Sequence, residues 1–417
     1  MDQTELLLSC IRETIVPSTG CTEPVAIALC SATARAHAPG EIRKAELVLD
    51  LGLLKNAMGV GIPGLDKRGV ALCCALGLVD GDPANGMDIL GKIPQVHREE
   101  IERIAPLVEV SAREDIATLF IQLTLTTDQA CVRVTTTDRH DHIAAVETPP
   151  FAEILPAAAG ETDAPPIQRC TLHDMVRFAD EVPLERIEFL WEGVEMNRRM
   201  SEAGLQKGFW KGAALLEGEA LLPAVQRTVG AASYARMSGV TLPTMTATGS
   251  GNQGITVFLT VDTVCQKLGI GRERELRALA LANAVNVYAK SFLGALSPIC
   301  ACGVASGLGA GVGIVYALGG TEAQMFGAMK NMLGGVSGMI CDGAKEGCSS
   351  KVSIGAGCAV VAAMTALEDQ TLASDSGILG RNMEELYCHL RALVCGGMAS
   401  ANRVMVDVML DRQREGT

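Results

Sequence analysis

No charged residue occurs between Lys290 and Glu322, and this uncharged run constrains the fold more than any other feature of the sequence. Glycine and alanine dominate its middle, Pro298 interrupts it, and Cys300 and Cys302 lie within it. The run is long enough to cross a bilayer. However, no companion span with basic flanks is evident elsewhere in the chain. We therefore expect a buried core helix here and no contact with a membrane.

Composition supports a core made of small side chains. Aromatic residues make up only 3% of the 417 residues, so alanine, glycine and the aliphatic residues must fill the interior. Small residues let helices pack closely, and a chain of this length suggests two or three domains. The formal net charge of −13 would repel phosphate backbones and anionic lipids, so we expect no nucleic-acid partner.

The pattern of apolar residues changes along the chain. Alternating or β-branched runs predict strands at Ala45–Leu51, Ile116–Thr126, Ala130–Thr137 and His142–Glu147. A helix is predicted from Thr22, as a plausible N-cap, to about Ala38, and helical periodicity dominates after residue 168. The proline- and acid-rich residues 149–167 predict a linker. We thus expect an α+β N-terminal domain, residues 1–148, and a mostly α-helical C-terminal domain, residues 168–417.

Cysteine usage indicates a reducing compartment. The chain has 15 cysteines, an odd number in a large chain, which does not suggest a disulfide framework. The first residues lack a basic segment followed by an apolar one, so no signal peptide is expected. We therefore expect a cytoplasmic protein whose cysteines are buried or serve as metal and catalytic groups.

Two cysteine-bearing segments in the second half could form a metal centre. Cys300 and Cys302 open a predicted helix, and Cys341 and Cys348 are separated by six residues rich in glycine and alanine. Thiolates hold iron–sulfur clusters, and three of them would leave one iron open to substrate. Ordinary buried cysteines in a reduced protein are the alternative interpretation of this spacing. A zinc site is a third interpretation, although the spacing differs from the short paired knuckles of structural zinc.

Cys21 immediately precedes a predicted helix. Free amides and the dipole at a helix N-terminus can bind a carboxylate and lower the pKa of a thiol. Ser18, Thr19 and Thr22 add hydroxyl groups at this place. The alternative is a turn and a helix cap in which Cys21 has no role.

The segment Gly249-Ser250-Gly251-Asn252-Gln253-Gly254 has several possible functions. It matches a dinucleotide fingerprint, but it lacks the strand–helix context that the fingerprint requires. It also resembles the phosphate loops of pyridoxal-phosphate β-eliminating enzymes, for which Lys207 and Lys211 would be the preceding lysines. As a substrate loop, it would offer Asn252 and Gln253 to a carboxylate. A simple chain reversal is the remaining interpretation.

Taken together, these segments resemble the L-cysteine desulfidase family, which is related to the iron–sulfur L-serine dehydratases. The segments that carry the resemblance are Thr19-Gly20-Cys21-Thr22-Glu23-Pro24, Gly249–Gly254, Ser297-Pro298-Ile299-Cys300 and Met339-Ile340-Cys341-Asp342-Gly343-Ala344-Lys345. They occur in the expected order and cover nearly the whole chain. The serine dehydratases carry a histidine in a Pro-Ser-Ser-Ser-His-Thr type of loop, where this chain has Pro17-Ser18-Thr19-Gly20-Cys21-Thr22. This departure favours the desulfidase branch.

The resemblance implies a 4Fe–4S cluster in the C-terminal domain, held by Cys341, Cys348 and Cys300, with Cys302 as the alternative third ligand. It implies α,β-elimination on L-cysteine, giving pyruvate, ammonia and sulfide. Cys21 is then the expected base, and Ser18, Thr19, Thr22, Asn252 and Gln253 are expected to bind the substrate. Alternatives are a serine dehydratase-like lyase, a pyridoxal-phosphate enzyme and an iron–sulfur sensor without turnover. The glycine- and alanine-rich helices could also bury against a second copy of the chain, so a homo-oligomer is possible.

Overall fold

A computed structural model of the chain describes residues 2–415, except 60, 63–64, 66, 117, 153–163, 214–217, 295–296 and 399. Most of the predicted linker therefore lies outside the described residues, as does Leu296. The described residues form a mixed α/β region with a five-stranded sheet, followed by a mostly helical region. The expected order of the two fold types is confirmed.

The strands and helices have the following bounds. The strands are β1 Pro17–Thr19, β2 Ile42–Asp50, β3 Val108–Arg113, β4 Phe120–Thr127, β5 Cys131–Thr137, β6 Ile143–Glu147 and β7 Pro243–Met245. The helices of the first half are α1 Gln3–Thr14, α2 Thr22–His37, α3 Leu51–Ala57, α4 Val70–Asp80, α5 Arg98–Ile104, α6 Leu172–Glu181, α7 Leu184–Ile187 and α8 Phe189–Gln206. Those of the second half are α9 Leu221–Met237, α10 Gly251–Leu268, α11 Arg272–Leu293, α12 Val304–Ala317, α13 Glu322–Val336, α14 Cys348–Leu367, α15 Met383–Arg391 and α16 Ala401–Glu415.

The five-stranded sheet has the order β3-β2-β4-β5-β6, and only the β2–β3 pair is parallel. In β4, Ile121, Leu123 and Leu125 are buried, and the residues between them are less so. The sheet thus buries one face, against which α2 packs. The four predicted strands are present with shifted ends. β3 was not predicted because, as an edge strand, it exposes most of its side chains and shows no alternation.

Two expectations around Cys21 need correction. A turn was one interpretation of the residues before Cys21, but Pro17–Thr19 form β1, which pairs antiparallel with β7 over Pro243–Met245. Thr22 was predicted as the N-cap, yet it is the first residue of α2, and Cys21 occupies the cap position with extended backbone angles. The pairing of β1 has no local sequence signal, because its partner β7 lies more than 200 residues away.

Each terminal helix packs into the hydrophobic core formed by the other half of the chain. Leu7, Leu8 and Ile11 of α1 belong to the core of the helical region, and Val406 of α16 belongs to the core of the α/β region. As a result, each terminal helix ties one region to the other. The division into two domains at residues 149–167 stays a prediction.

The uncharged run contains α12, whose residues from Val304 to Ala317 are all buried. α12 packs against α10, α11, α13 and α14. Gly309 lets α12 approach α11 closely, because a Cβ at this position would lie only 2.4 Å from the carbonyl oxygen of Ala282 in α11. The run was expected to form a buried helix, and this is confirmed for α12.

Among the described residues, α14 is long and apolar enough to cross a membrane, and a bent pair formed by Met383–Gly397 and Ala401–Arg412 passes the same test. Just over half of the apolar stretch of α14 is buried, at 56%, against α9, α12 and α13. Core helices of this composition pass the same test. The absence of membrane contact remains a prediction.

Candidate active site

A cavity of about 630 Å³ lies between the two cores, and five cysteines from three distant segments line it. They are Cys21, Cys300, Cys302, Cys341 and Cys348. All 15 cysteines of the chain are free thiols. The fold therefore gathers the cysteines that the sequence singled out.

Pairing between β1 and β7 brings Cys21 to the glycine loop. β1 ends just before Gly20, which has a φ of +83°, and β7 leads into the loop that precedes α10. Arg236 braces this junction: its Nη2 donates to the carbonyl oxygen of Gly20 at 2.8 Å, and its Nη1 donates to Oδ1 of Asn252 at 3.3 Å. Thr248 has a φ of +50°, a conformation that is uncommon for residues other than glycine and typical of functional loops.

The two cysteine-bearing loops lie side by side because their backbones pair. The amide of Cys300 donates to the carbonyl oxygen of Met339 at 2.8 Å, and the amide of Cys341 donates to that of Pro298 at 2.7 Å. Asp342 then fixes the loop between Cys341 and Cys348.

Asp342 does so through two ion pairs, with Lys345 and with Lys351. Burial opposes its ionisation, but hydrogen bonds from both lysines lower the pKa of Asp342 to about 2. The carboxylate of Asp342 therefore stays charged throughout the physiological pH range.

The thiols influence one another's ionisation. A hydrogen bond from Cys300 lowers the pKa of Cys302 to about 7, with help from Ser250, Arg236 and Lys290. The same contact with Cys302 raises the pKa of Cys300. Burial raises the pKa of Cys348 to about 11 and that of Cys21 to about 12.

The position of Cys21 at a helix end was expected to lower its pKa. Burial outweighs that effect, although the charge of Arg236 opposes it. Without a cluster or substrate bound, the Cys21 thiol is therefore protonated at neutral pH.

Four helices begin at the cavity wall. α2 starts beside Cys21, α10 beside Ser250, α12 just after Cys302, and α14 at Cys348 itself. Each helix N-terminus carries partial positive charge and unpaired amides. The cavity is consequently suited to anions such as thiolates, an iron–sulfur cluster or a carboxylate.

Nearly all the predicted site residues line this cavity: Ser18, Cys21, Thr22, Asn252, Gln253, Cys300, Cys341 and Cys348. Thr19 is the exception, since it is buried against Gly91 and does not line the cavity. Cys302 lines the cavity together with Cys300, so the structure leaves both as candidate third ligands. Gln253 accepts a hydrogen bond from Oγ1 of Thr248 at 2.7 Å.

Sequence reasoning did not predict Arg236, Lys290, Glu23 and His140 as lining residues. Arg236 is the only charged residue between Arg227 and Asp262. Lys290 likewise is the only one between Arg277 and Glu322. An isolated charge in a long uncharged stretch was the signal that could have found them, because a buried charge needs a function or a partner.

Glu23 and His140 also line the cavity and influence each other's ionisation. Burial favours protonation of Glu23, but His140, a hydrogen bond from Asn56 at 2.9 Å and other groups lower its pKa overall. Burial lowers the pKa of His140, and its Nε2 has no hydrogen-bond partner among the described residues. Glu23 is therefore ionised and His140 neutral near pH 7.

Two buried asparagines of the helical region, Asn197 and Asn286, have structural partners. Asn197 bonds both the amide and the carbonyl of Met245, and Asn286 accepts from Ser306. Lys207 and Lys211, which a pyridoxal-phosphate loop would require, do not line the cavity. Asn56 does line it, and its Oδ1 lies 3.9 Å from Sγ of Cys341.

The donor set fits an iron–sulfur cluster. Among the described residues, no three His, Cys, Asp or Glu side chains lie close enough together to hold a single metal ion. Cluster ligands need not meet at a point, since each thiolate binds a different iron. Cys300, Cys302, Cys341 and Cys348 surround one cavity and interact electrostatically. The cations Arg236, Lys290 and the buried Lys55 lie near these sulfurs and would compensate negative charge.

Several UPF0597 proteins of bacteria are similar in sequence to this chain over nearly its whole length. A UPF0597 protein of Caldanaerobacter subterraneus is 35% identical over 98% of this chain and 99% of its own. One of Clostridium tetani is 33% identical over 99% of this chain and 100% of its own, and one of Parabacteroides distasonis is 32% identical over 97% of each.

Residues 85–407 match the family described as serine dehydratase alpha chain. The match includes Arg236, the glycine loop and the four cysteines at 300, 302, 341 and 348, whereas Cys21 lies outside it. The chain belongs to the serine dehydratase alpha chain family and is a full-length relative of the UPF0597 proteins.

Proposed function

We propose that this chain is an iron–sulfur lyase that eliminates the β-substituent of a small α-amino acid, with L-cysteine as the substrate. The observation that carries the proposal is the convergence of five thiols, four helix N-termini and the glycine loop on one cavity. Family membership supports a dehydratase-like lyase. The thiol at position 21 supports cysteine as the substrate.

A 4Fe–4S cluster would be held by Cys341, Cys348 and Cys300, with Cys302 as the alternative to Cys300. When bound, such a cluster supplies a Lewis acid, because one iron without a protein thiolate can accept the β-substituent. The four helix ends and the buried cations near the sulfurs support an anionic group at this place. The two loops are already joined by backbone hydrogen bonds, which limits the rearrangement that loading would need.

The protein's own residues would bind the substrate and move its proton. Asn252, Gln253, Ser18 and Thr22 would hold the carboxylate at the ends of α2 and α10. Cys21 would take the Cα proton. For this Cys21 must first lose its own proton, which burial opposes and the charge of Arg236 favours.

The overall reaction consumes one water. L-Cysteine loses its Cα proton and its thiol, and the resulting aminoacrylate is released and hydrolysed. Pyruvate, ammonia and hydrogen sulfide are formed, so no oxidant or reductant is required. Free thiols throughout the chain support a reducing, cytoplasmic location.

L-Serine is the second candidate substrate, and the family name favours it. The related dehydratases carry a histidine in the loop where this chain has Cys21, which favours cysteine over serine here. A thiophilic iron site would also bind a substrate thiolate more selectively than an alcohol.

A pyridoxal-phosphate enzyme and a sensor without turnover are the remaining alternatives. The first would show a sharp absorbance that borohydride removes, whereas a cluster gives a broad absorbance that reductant bleaches. The second would bind the cluster without any turnover.

The deciding experiment is an anaerobic assay with L-cysteine and L-serine in parallel, measuring sulfide and pyruvate. We expect equal amounts of both products from L-cysteine and far less pyruvate from L-serine, with activity lost in air. More pyruvate from L-serine than from L-cysteine would establish the dehydratase. No product from either amino acid, from protein with full cluster absorbance, would refute the proposed enzyme.

A further inference from the structure

Arg236 is a buried cation that forms no ion pair with a carboxylate among the residues that the structure describes. Only 4% of the residue is exposed, at the end of α9. Its two hydrogen bonds go to neutral acceptors, the carbonyl oxygen of Gly20 and the amide oxygen of Asn252. Its Nε is buried with no partner among the described residues. By contrast, Arg198, which is more exposed, forms an ion pair with Asp262.

Burying an unpaired charge is costly, and proteins retain one where a ligand of opposite charge binds. Arg236 lines the cavity beside Asn252, at the ends of α2 and α10. A guanidinium offers five N–H donors in a plane and binds a carboxylate through two of them. The site around Arg236 thus has the charge and the donors that a carboxylate requires.

We infer that Arg236 binds the carboxylate of the amino-acid substrate and so restricts the enzyme to α-amino acids with a free carboxylate. This inference rests on the proposed function. Arg236 holds the carbonyl of Gly20, the residue before Cys21, so an anchored carboxylate would lie close to the thiol proposed to take the Cα proton. The hydrogen bond to Asn252 holds the guanidinium through its other terminal nitrogen.

Gly251 provides an independent way to move the guanidinium. It is the first residue of α10, and a Cβ there would lie 2.4 Å from Nε and 2.7 Å from Cζ of Arg236. The side chain of Arg236 would have to shift, although its charge would remain. Gly251→Ala should therefore reproduce the binding defect of an Arg236 variant without removing a cation.

The experiment measures binding of L-alanine and L-alaninamide to anaerobic, cluster-loaded protein by calorimetry. L-Alanine has no leaving group, and L-alaninamide replaces its carboxylate with a neutral amide. The wild type should prefer L-alanine. We expect Arg236→Gln to weaken L-alanine binding at least about 30-fold, to leave L-alaninamide nearly unchanged and to retain the cluster absorbance.

Arg227→Gln is the matched control, because Arg227 lies on the same helix and does not line the cavity. It should bind L-alanine as the wild type does. Should Arg236→Gln fail to load iron, Gly251→Ala decides the question by the same ratio of L-alanine affinity to L-alaninamide affinity. An unchanged preference for L-alanine over L-alaninamide in the loaded variants would overturn the inference. Failure of the wild type to release sulfide or pyruvate would instead refute the proposed function.

Discussion

At the level of single residues, Cys21 shows what a sequence can and cannot predict. Its place before a helix was predictable from Thr22-Glu23-Pro24, and in the structure Cys21 does precede α2. Cys21 also lines the cavity. Its ionisation was not predictable, because burial against Met237 and Cys348 depends on residues more than 200 positions away. The raised pKa of Cys21 is therefore a property of the tertiary structure.

Cys21→Ser should retain the cluster absorbance but lower kcat at least about 100-fold, because a hydroxyl is a much weaker acid than a thiol. The measurement is sulfide release from L-cysteine by anaerobic protein. The control is Cys388→Ser, which changes an exposed cysteine outside the cavity. Activity equal to the wild type in the Cys21 variant would remove this residue from the mechanism.

Glu275 makes stability depend on pH. It is buried beside Asp262, and burial followed by the contact with Asp262 raises its pKa to about 8, above the usual value of 4.5. Between these pH values the folded state keeps a proton that the unfolded state releases. Its contribution to the free energy of unfolding therefore falls as pH rises from about 4.5 to about 8.

Glu275→Gln removes this titration, since the amide stays neutral. We expect the variant to unfold at a higher urea concentration than the wild type at pH 8 and to show a smaller difference near pH 5. A variant with the same pH dependence as the wild type would mean that Glu275 titrates normally. Urea unfolding of the cluster-free protein at both pH values provides the measurement.

At the level of elements, the sequence predicted individual helices and strands better than the pairing between distant strands. The four strands with alternating or β-branched patterns were found, and so was the helix after Cys302. β1 and β7 were missed because three residues such as Pro17–Thr19 carry no periodicity, and only their mutual pairing defines them. Yet this pair brings Cys21 to the glycine loop, so the assembly of the site depends on the least predictable strands.

α14 positions the cysteine loops through a close backbone contact. A Cβ on Gly355 would lie 2.6 Å from the carbonyl oxygen of Gly303, the residue after Cys302. Gly355→Ala should therefore push the 300–303 loop away, lower the free energy of unfolding by about 1–3 kcal/mol and reduce the iron content.

Gly357→Ala is the matched control on the same helix. Its Cβ would meet the end of the Gln226 side chain, which can move. This variant should keep its iron and most of its stability. Equal iron content in the two variants would show that the contact between Gly355 and Gly303 does not position the ligands.

At the level of the whole molecule, the cavity forms where two cores meet. The order of an α/β region and a helical region was predictable from hydrophobic periodicity. The exchange of α1 and α16 between the cores was not, because an amphipathic helix does not specify which core it joins. The candidate ligands were found from cysteine spacing and the family resemblance. Arg236 and Lys290 could have been found as isolated charges in uncharged stretches, but their position near the sulfurs is set only by the fold.

The central claim is that the thiols of the second half hold an iron–sulfur cluster. The direct measurement is the iron and acid-labile sulfide content of protein purified without oxygen, for the wild type and for Cys341→Ser, Cys348→Ser and the exposed control Cys395→Ser. We predict about four of each per chain in the wild type and the control, and a loss of both in the two ligand variants. Intact protein that releases sulfide from L-cysteine while containing neither iron nor acid-labile sulfide would contradict the account.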